Sequence, residues 1–176
     1  MFERFSTPAR ESVVRTQQVA RSLGSRRIDS LHLLLTLLED STDVTGALRS
    51  TGADPTRLAR DLRVEVRRSG LDGEALAVLG IDLDTVLEQT DRVFGADALI
   101  RAGTPAGHIP FARDAKKSLE NALREAVRLK QRTLETRHLF LGLVRGDSAS
   151  RLWLVAQGVD VRAVSEVLGA PPAASA

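Results

Sequence analysis

Two short stretches of the chain are apolar in almost every direction around a helix. Residues 29–38 read DSLHLLLTLL and residues 135–144 read ETRHLFLGLV. Ser30 and Thr136 are predicted N-caps, because a hydroxyl there accepts a hydrogen bond from a free backbone N–H one turn on. A helix that is apolar all round is buried. The pattern therefore predicts two buried central helices, each at the core of its own half of the chain.

Amphipathic helices are predicted around the first central helix. Thr7-Pro8 is typical of a helix start and predicts a helix over residues 8–23. A short helix follows the central one, and Asp54-Pro55 starts a further helix with leucines one turn apart. The first half of the chain is therefore predicted to be a four-helix unit.

The same pattern returns 106 positions later without a gap, since residues 5–62 align with residues 111–168. Helix caps, breakers and apolar positions coincide, with identical pairs such as Phe5/Phe111, Ala20/Ala126, His32/His138, Leu35/Leu141, Gly52/Gly158 and Asp54/Asp160. A repeated unit of about 60 residues is longer than common solenoid repeats. It indicates a tandem duplication with a pseudo-twofold axis, and a groove between the halves where a ligand would fit.

The predicted fold class is all-α, a pseudo-twofold tandem repeat of two four-helix units with a helical linker insertion. The segment between the halves interrupts the repeat and carries its own apolar pattern and glycine-bearing joints. We predict one domain over residues 1–170, with repeat one at 1–70, the linker insertion at 71–107, repeat two at 108–168, and a disordered tail at 169–176.

Composition narrows the functional classes. The 176 residues include no Cys, no Tyr and one Trp, so the core is mostly Leu, Val and Ala, and thiol chemistry is excluded. No Gly-x-Ser-x-Gly elbow or metal-ligand cluster is present, which argues against an enzyme and against a cofactor or metal. His32 and His138 are expected to tie helix starts to neighbouring backbone rather than to bind metal.

Charge and hydropathy favour a protein that works in water. The net charge is +2 and the charges are mixed in sign along the chain, so nucleic-acid binding is not favoured. No apolar run reaches the length of a membrane span, and the N-terminus lacks a signal pattern. The expectation is a cytoplasmic protein with no membrane partner.

Several motifs, in order, resemble the Clp N-terminal domain, the Clp repeat domain that heads the ClpA and ClpC chaperones of the ATP-dependent Clp protease. They are MFERF at residues 1–5, SLHLL at 30–34 with its twin TRHLF at 136–140, and GHIPF at 107–111. The resemblance covers residues 1–70 and 107–168. The sequence has no Gly-x-x-x-x-Gly-Lys-Ser/Thr phosphate loop, so it resembles a stand-alone N-domain rather than an unfoldase.

The resemblance implies a non-catalytic module that docks peptides and adaptor proteins, modulates substrate delivery to Clp protease components, or sequesters cyclic-peptide antibiotics of the cyclomarin type. The positions that match that family's peptide pocket are Phe2, Arg10, Val13, Val14, Phe111, Lys116 and Glu120. The aromatic pair would wall the pocket and the charged residues would line its rim. The alternative is a helical nucleic-acid-binding or regulatory protein unrelated to Clp.

One departure from the family changes the expected ligand. Some members hold phosphoarginine with an acidic residue just inside the central helix of each half. Here those positions are Leu31 and Arg137. Neither residue replaces a carboxylate that grips a guanidinium, so phosphoarginine binding is expected to be lost or weak.

Overall fold

A computed structural model describes residues 2–70 and 107–170, together with residues 85, 88, 89, 92 and 93. After a single 3₁₀ turn at Phe2–Arg4, eight α-helices account for most of residues 2–70 and 107–170. They are α1 (Thr7–Ser22), α2 (Ser30–Asp40), α3 (Thr42–Ser50), α4 (Pro55–Gly70), α5 (Arg113–Arg128), α6 (Thr136–Leu143), α7 (Ala149–Ala156) and α8 (Val161–Gly169).

The tandem repeat is confirmed. Helices α1, α2 and α4 begin at Thr7, Ser30 and Pro55, and α5, α6 and α8 begin 106 positions later in each case. The fold class is all-α with two four-helix units, as the pattern of apolar positions predicts. The coincidence shows that the positions at which helices begin are repeated as well as the core, although Ser6 caps α1 with its side chain and its equivalent Ala112 cannot cap α5.

The predicted linker insertion at 71–107 lies almost entirely outside the described residues, and so does the tail beyond residue 170. Helix α8 continues to Gly169, which was predicted to open the tail. The division of the chain into repeat one, insertion and repeat two therefore stays a prediction.

The two halves interlock around their central helices. α2 and α6 contact each other, α3 packs on α6 while α7 packs on α2, and α1 reaches α6 while α5 reaches α2. In each of these contacts, the helix from one half is matched by its counterpart from the other half. The halves are thus related by a pseudo-twofold axis that passes between α2 and α6.

Two backbone bridges repeat the same symmetry. Phe5 pairs in parallel with Leu134, and Phe111, its repeat equivalent, pairs with Ile28. In the first bridge Leu134 donates to the Arg4 carbonyl (2.7 Å) and accepts from Ser6 (2.9 Å). The segment just before α1 is therefore hydrogen-bonded to the other half of the molecule, and so is the segment just before α5.

The two central helices are buried as predicted. Almost every residue of α2 from His32 to Leu38 and of α6 from Thr136 to Leu143 is buried. Phe140 in α6 is among the largest side chains with no exposed surface. Apart from Phe5, the other buried apolar residues of the core are aliphatic, which agrees with a chain that has few aromatic residues.

The N-caps of these helices lie one residue earlier than predicted. Asp29, not Ser30, caps α2, because its carboxylate accepts from the N–H groups of Leu31 (2.9 Å) and His32 (3.1 Å). In the second half Glu135 is the cap residue in place of Thr136. A carboxylate at a helix N-terminus also interacts favourably with the helix dipole, which a hydroxyl does not match.

Within the part of the chain that the structure describes, no helix combines the length and the apolar character needed to cross a bilayer.

Candidate functional site

Two open clefts lie on the surface, one in each half. The cleft we call cleft one has a volume of about 600 Å³ and is lined by Ser6, Pro8, Glu11, Ser12, Arg15, Asp40, Ser41, Thr42, Asp43, Glu135 and Thr136. Cleft two has a volume of about 420 Å³ and is lined by Asp114, Lys117, Ser118, Asn121, Arg124, Arg145, Gly146, Asp147, Ser148 and Ala149. Both are surface-open sites, lined by many charged and hydroxyl-bearing residues, of the size that holds a few side chains of a ligand.

The two clefts occupy equivalent positions in the two repeats. Adding 106 to eight of the cleft-one positions, from Pro8 to Asp43, gives eight of the positions that line cleft two. Each cleft therefore lies between the first helix of its repeat and the loop that joins the second helix to the third. A duplicated cleft that stays open in both copies is the feature of the fold most suited to ligand binding.

Cleft one is built at the N-terminal ends of three helices. Ser6 caps α1 and Ser41 caps α3, each by accepting a backbone N–H with its hydroxyl, and Glu135 caps α6. The wall of the cleft is held by an ion pair between Arg15 Nε and Asp40 Oδ2 at 2.7 Å. The hydroxyl of Thr136 donates across the cleft to Asp43 Oδ2 at 3.3 Å, which joins the two halves of the molecule.

The pKa of the Asp40 carboxyl is set by its burial and by the charges beside it. Burial raises the pKa of the Asp40 carboxyl and the neighbouring Glu39 adds to that rise, while the Arg15 guanidinium opposes it. The net pKa is above the usual value of an aspartate. Cleft one therefore has one carboxyl group, that of Asp40, that gains a proton at a higher pH than an ordinary aspartate does.

Cleft two joins the halves through a different residue. The carboxylate of Asp114 accepts from the backbone N–H of Ser30 at 2.9 Å and so caps the start of α2 from the opposite repeat. Ser148 caps α7 by accepting from the N–H of Arg151 at 3.1 Å. Arg145 forms a short ion pair with the buried Glu125, which also binds Arg128 at 2.7 Å.

The two central histidines serve the structure, as the sequence indicated. His32 and His138 are almost fully buried, and Nδ1 of each lies within hydrogen-bond distance of the backbone N–H three residues earlier. Nε2 of His32 contacts the Ser25 hydroxyl at 2.7 Å. Burial alone would raise the pKa of the Asp29 carboxyl, but hydrogen bonds from His32 and Leu31 and the nearby imidazole hold that pKa below its usual range.

The burial of His138 predicts a pH dependence of stability. Burial, reinforced by the charge of Arg137, holds the pKa of the His138 imidazole below 6.5 in the folded protein. Between the folded and unfolded values the unfolded chain binds more protons, so the free energy of unfolding falls as pH drops below about 6.5 and levels off below the folded pKa. His138→Gln keeps an acceptor for the cap N–H and does not titrate. Urea unfolding at pH 7.5 and 5.5 should show a smaller loss on acidification in this variant, and an equal loss would contradict the assignment.

Sequence comparison with the family's peptide pocket gave seven candidate residues, and the structure describes the side chains of six. Arg10 and Val14 lie one turn apart on the exposed face of α1, and Lys116 and Glu120 lie one turn apart on α5. Val13 is a core residue with 5% of its surface exposed, and Phe111 is partly buried against the core. The side chain of Phe2 lies outside the described residues.

These six side chains line neither cleft. Arg10 and Val14 share the α1 face with Gln17 and Arg21. Gln17 donates to the Ile109 carbonyl at 2.8 Å and Arg21 donates to the Gly107 carbonyl at 2.6 Å, so both hold the segment at residues 107–109. Phe111 continues that segment. The exposed face of α1, residues 107–109 and Phe111 together form a second surface. The seven-residue pocket on this surface stays a prediction.

The positions that differ from phosphoarginine-binding relatives are both packed inward. Leu31 is partly buried against the core. Arg137 is 8% exposed, pairs with Glu135 at 2.8 Å and donates from Nη1 to the Ala170 carbonyl at 3.1 Å. Neither side chain presents a free acid at the start of α2 or α6, so weak or absent phosphoarginine binding stays our prediction.

Sequence reasoning predicted a groove between the halves. Residues of both halves line cleft one, whereas every residue that lines cleft two belongs to the second half. The residues that line the clefts were not predicted, because many of them are polar residues near helix starts with no distinctive spacing. The alignment of the repeats contained one signal, since Glu11 aligns with Lys117, a reversal of charge, and Asp43 aligns with the uncharged Ala149.

Comparison with known proteins agrees with this architecture. The profile of the Clp repeat (R) N-terminal domain matches residues 4–75 and 66–157. The ATP-dependent Clp protease ATP-binding subunit ClpA homolog of Cyanidium caldarium is 29% identical over 162 residues, which cover 92% of this chain and 15% of that protein. The Hsp104 N-terminal domain from Candida albicans superposes with a TM-score of 0.68 at 13% identity, covering 94% of this chain and 89% of that one. The N-terminal domain of ClpD, a caseinolytic protease associated chaperone from Arabidopsis thaliana, gives 0.57 at 20% identity, covering 96% and 94%.

The fold is a duplicated all-helical domain, as in the N-terminal domains of ClpD and Hsp104 with which it superposes. The chain belongs to the Clp repeat (R) N-terminal domain family, since the family profile matches most of its length. This removes the alternative of a protein unrelated to Clp. The chain spans about 15% of the length of the Cyanidium relative, so the activity of that whole protein does not transfer with the match.

Proposed function

We propose that this chain is a non-catalytic docking module that holds segments of other polypeptides, either substrates or adaptors, in its two clefts. The observation that carries the proposal is the pair of open clefts at equivalent places in the two repeats of a Clp-type N-domain. One extended polypeptide, or two separate segments, would occupy both. Two weak sites on one rigid body give a higher overall affinity than either alone.

The chemistry of the clefts supports binding rather than catalysis. Neither cleft is lined by a histidine or cysteine that would activate a hydroxyl nucleophile. Most of the hydroxyl groups that line the clefts already take part in hydrogen bonds that stabilise the fold. The Ser12 hydroxyl, for example, donates to the Pro8 carbonyl at 3.0 Å. Docking to Clp chaperone or protease components is suggested by the family and is part of this proposal, as is the cytoplasm as the place where it occurs.

Blocking the clefts should abolish docking. Thr42→Trp in cleft one and Ala149→Trp in cleft two place a large side chain at exposed positions that line the clefts. Fluorescence anisotropy with labelled, reduced and alkylated α-lactalbumin should show saturable binding to the wild type and a loss of about tenfold or more in the double variant, about 1.4 kcal/mol. Val127→Trp, an exposed position of α5 outside both clefts, should bind as the wild type does. No binding by the wild type, or equal binding by the blocked variant, would refute the proposal.

The second surface, beside α1, supports a separate proposal for cyclic peptides. Val14 is 61% exposed and Phe111 is half-covered, so together they offer apolar area to a cyclomarin-type peptide. Calorimetry should detect binding to the wild type and a loss of about tenfold in Val14→Glu, where a carboxylate would face the apolar ligand. Val127→Glu is the matched control, since it is 60% exposed on α5. Undiminished binding after Val14→Glu, and after Phe2→Ala and Phe111→Ala, would exclude this surface.

A further inference from the structure

The two clefts are equivalent in position but differ in charge. Cleft one is lined by four carboxylates and one guanidinium, for a formal charge of −3. Cleft two is lined by two carboxylates, one ammonium and two guanidinium groups, and one of the guanidinium groups, that of Arg145, is paired with the buried Glu125. Cleft one is therefore the more acidic of the two, which favours a cationic ligand there.

Helix ends do not cancel this difference. The N-terminus of an α-helix carries about half a positive charge, and such ends border both clefts. Because the pseudo-twofold axis relates the helices around the two clefts, their dipoles make similar contributions to each. The contrast between the clefts therefore comes from side chains that differ between the repeats.

The substitutions fall on exposed lining positions. Glu11 of cleft one corresponds to Lys117 of cleft two, and Asp43 corresponds to Ala149. In cleft one Arg15 is paired with Asp40, and Arg137 engages Glu135. That leaves Glu11 and Asp43 as the lining carboxylates without a cationic side chain paired to them within the described residues.

A buried hydroxyl marks a place where cleft one has a carboxylate and cleft two has none. In cleft one Thr136 donates its hydroxyl to Asp43 Oδ2 at 3.3 Å. The equivalent hydroxyl of Ser30 is fully buried and has no hydrogen-bond partner in the described part of the chain, because Ala149 stands where Asp43 would be. The acceptor was thus a specific feature of this place in the fold, and the second repeat lacks it.

We propose that the clefts have specialised by charge, so that cleft one binds the lysine- and arginine-bearing segments of a docked polypeptide and cleft two does not. This inference rests on the proposed docking function and names the class of ligand that one of its two sites takes. The unpaired carboxylates of Glu11 and Asp43 receive the cationic side chain. In cleft two Lys117 stands at the position of Glu11 and repels the same side chain.

The test compares three labelled peptides of one length that carry arginine, glutamate or glutamine at the same positions. At low ionic strength the wild type should bind the arginine peptide about tenfold or more tightly than the glutamate peptide, with the preference shrinking as salt is added. The variant E11K/D43A gives cleft one the residues of cleft two at exposed positions. It should lose about tenfold in affinity for the arginine peptide. K117E/A149D makes the reverse exchange in cleft two and should lose nothing, gaining a second binding event.

The outcomes separate this inference from the function on which it rests. A wild-type preference for the glutamate peptide, or binding of the arginine peptide by E11K/D43A within about twofold of the wild type, would overturn the charge specialisation and leave docking intact. Failure of every peptide and of unfolded α-lactalbumin to bind would overturn both. Circular dichroism melts of each variant establish that the fold is retained.

Discussion

Replacing Gly142 by alanine should destabilise the protein by about 2–4 kcal/mol, although alanine is the better helix former. Gly142 lies in α6 where that helix meets α5. A Cβ at this position would lie 2.4 Å from the backbone nitrogen of Ala122 and 2.5 Å from the carbonyl oxygen of Ser118. Both are backbone atoms, so relief requires the two helices to separate rather than a side chain to rotate. Chemical denaturation of the purified variant measures the loss.

Gly46→Ala is the matched control. Gly46 lies in the exposed helix α3 and an added Cβ would meet nothing within 4 Å. This substitution should raise the free energy of unfolding by about 0.5–1 kcal/mol through helix propensity. If Gly142→Ala were as benign as Gly46→Ala, the close approach of α5 and α6 would be wrong.

Replacing Phe140 by alanine should cost about 3–5 kcal/mol. Phe140 is fully buried in α6 and belongs to the cluster that joins both halves of the core. Its removal leaves a cavity that the surrounding leucines cannot fill without moving the central helices. Because α6 contacts helices of both repeats, unfolding should remain one cooperative transition in the wild type, and the variant should unfold at a lower urea concentration.

Leu152→Ala tests whether burial is the cause. Leu152 is 59% exposed on α7, so its truncation should change the free energy of unfolding by no more than about 0.5 kcal/mol. Phe140→Leu introduces the residue that occupies the equivalent position 34 and should cost clearly less than Phe140→Ala. Equal losses for Phe140→Ala and Leu152→Ala would contradict the described core.

The repeat and the central helices could be predicted because duplication leaves two copies of each signal. The residues that end the first helix of each repeat show the limit of what one copy of the signal can predict. Gly24 ends α1 with φ 66°, a left-handed conformation that glycine adopts readily. The equivalent residue after α5 is Lys130 with φ 56°, and a lysine in the sequence gives no indication of that conformation. The position could be inferred only from its glycine partner in the first half.

The residues that cap the central helices and those that line the clefts could not be predicted in this way. Ser30 and Thr136 are good capping residues in isolation, but Asp29 and Glu135 precede them and the chain uses the carboxylates. Which polar residues share a cleft depends on how α1, α3 and α6 converge, and this is a property of tertiary packing. A local sequence pattern contains no information about it.

Hydrogen exchange with and without bound, reduced and alkylated α-lactalbumin tests the central claim most directly. If the duplicated clefts dock polypeptides, protection should rise in the segments at residues 40–43 and 146–149, which line clefts one and two. Exchange at the exposed α7 face around Leu152 and Val155 should be unchanged. Protection confined to other surfaces, or no protection at saturating polypeptide, would contradict the account.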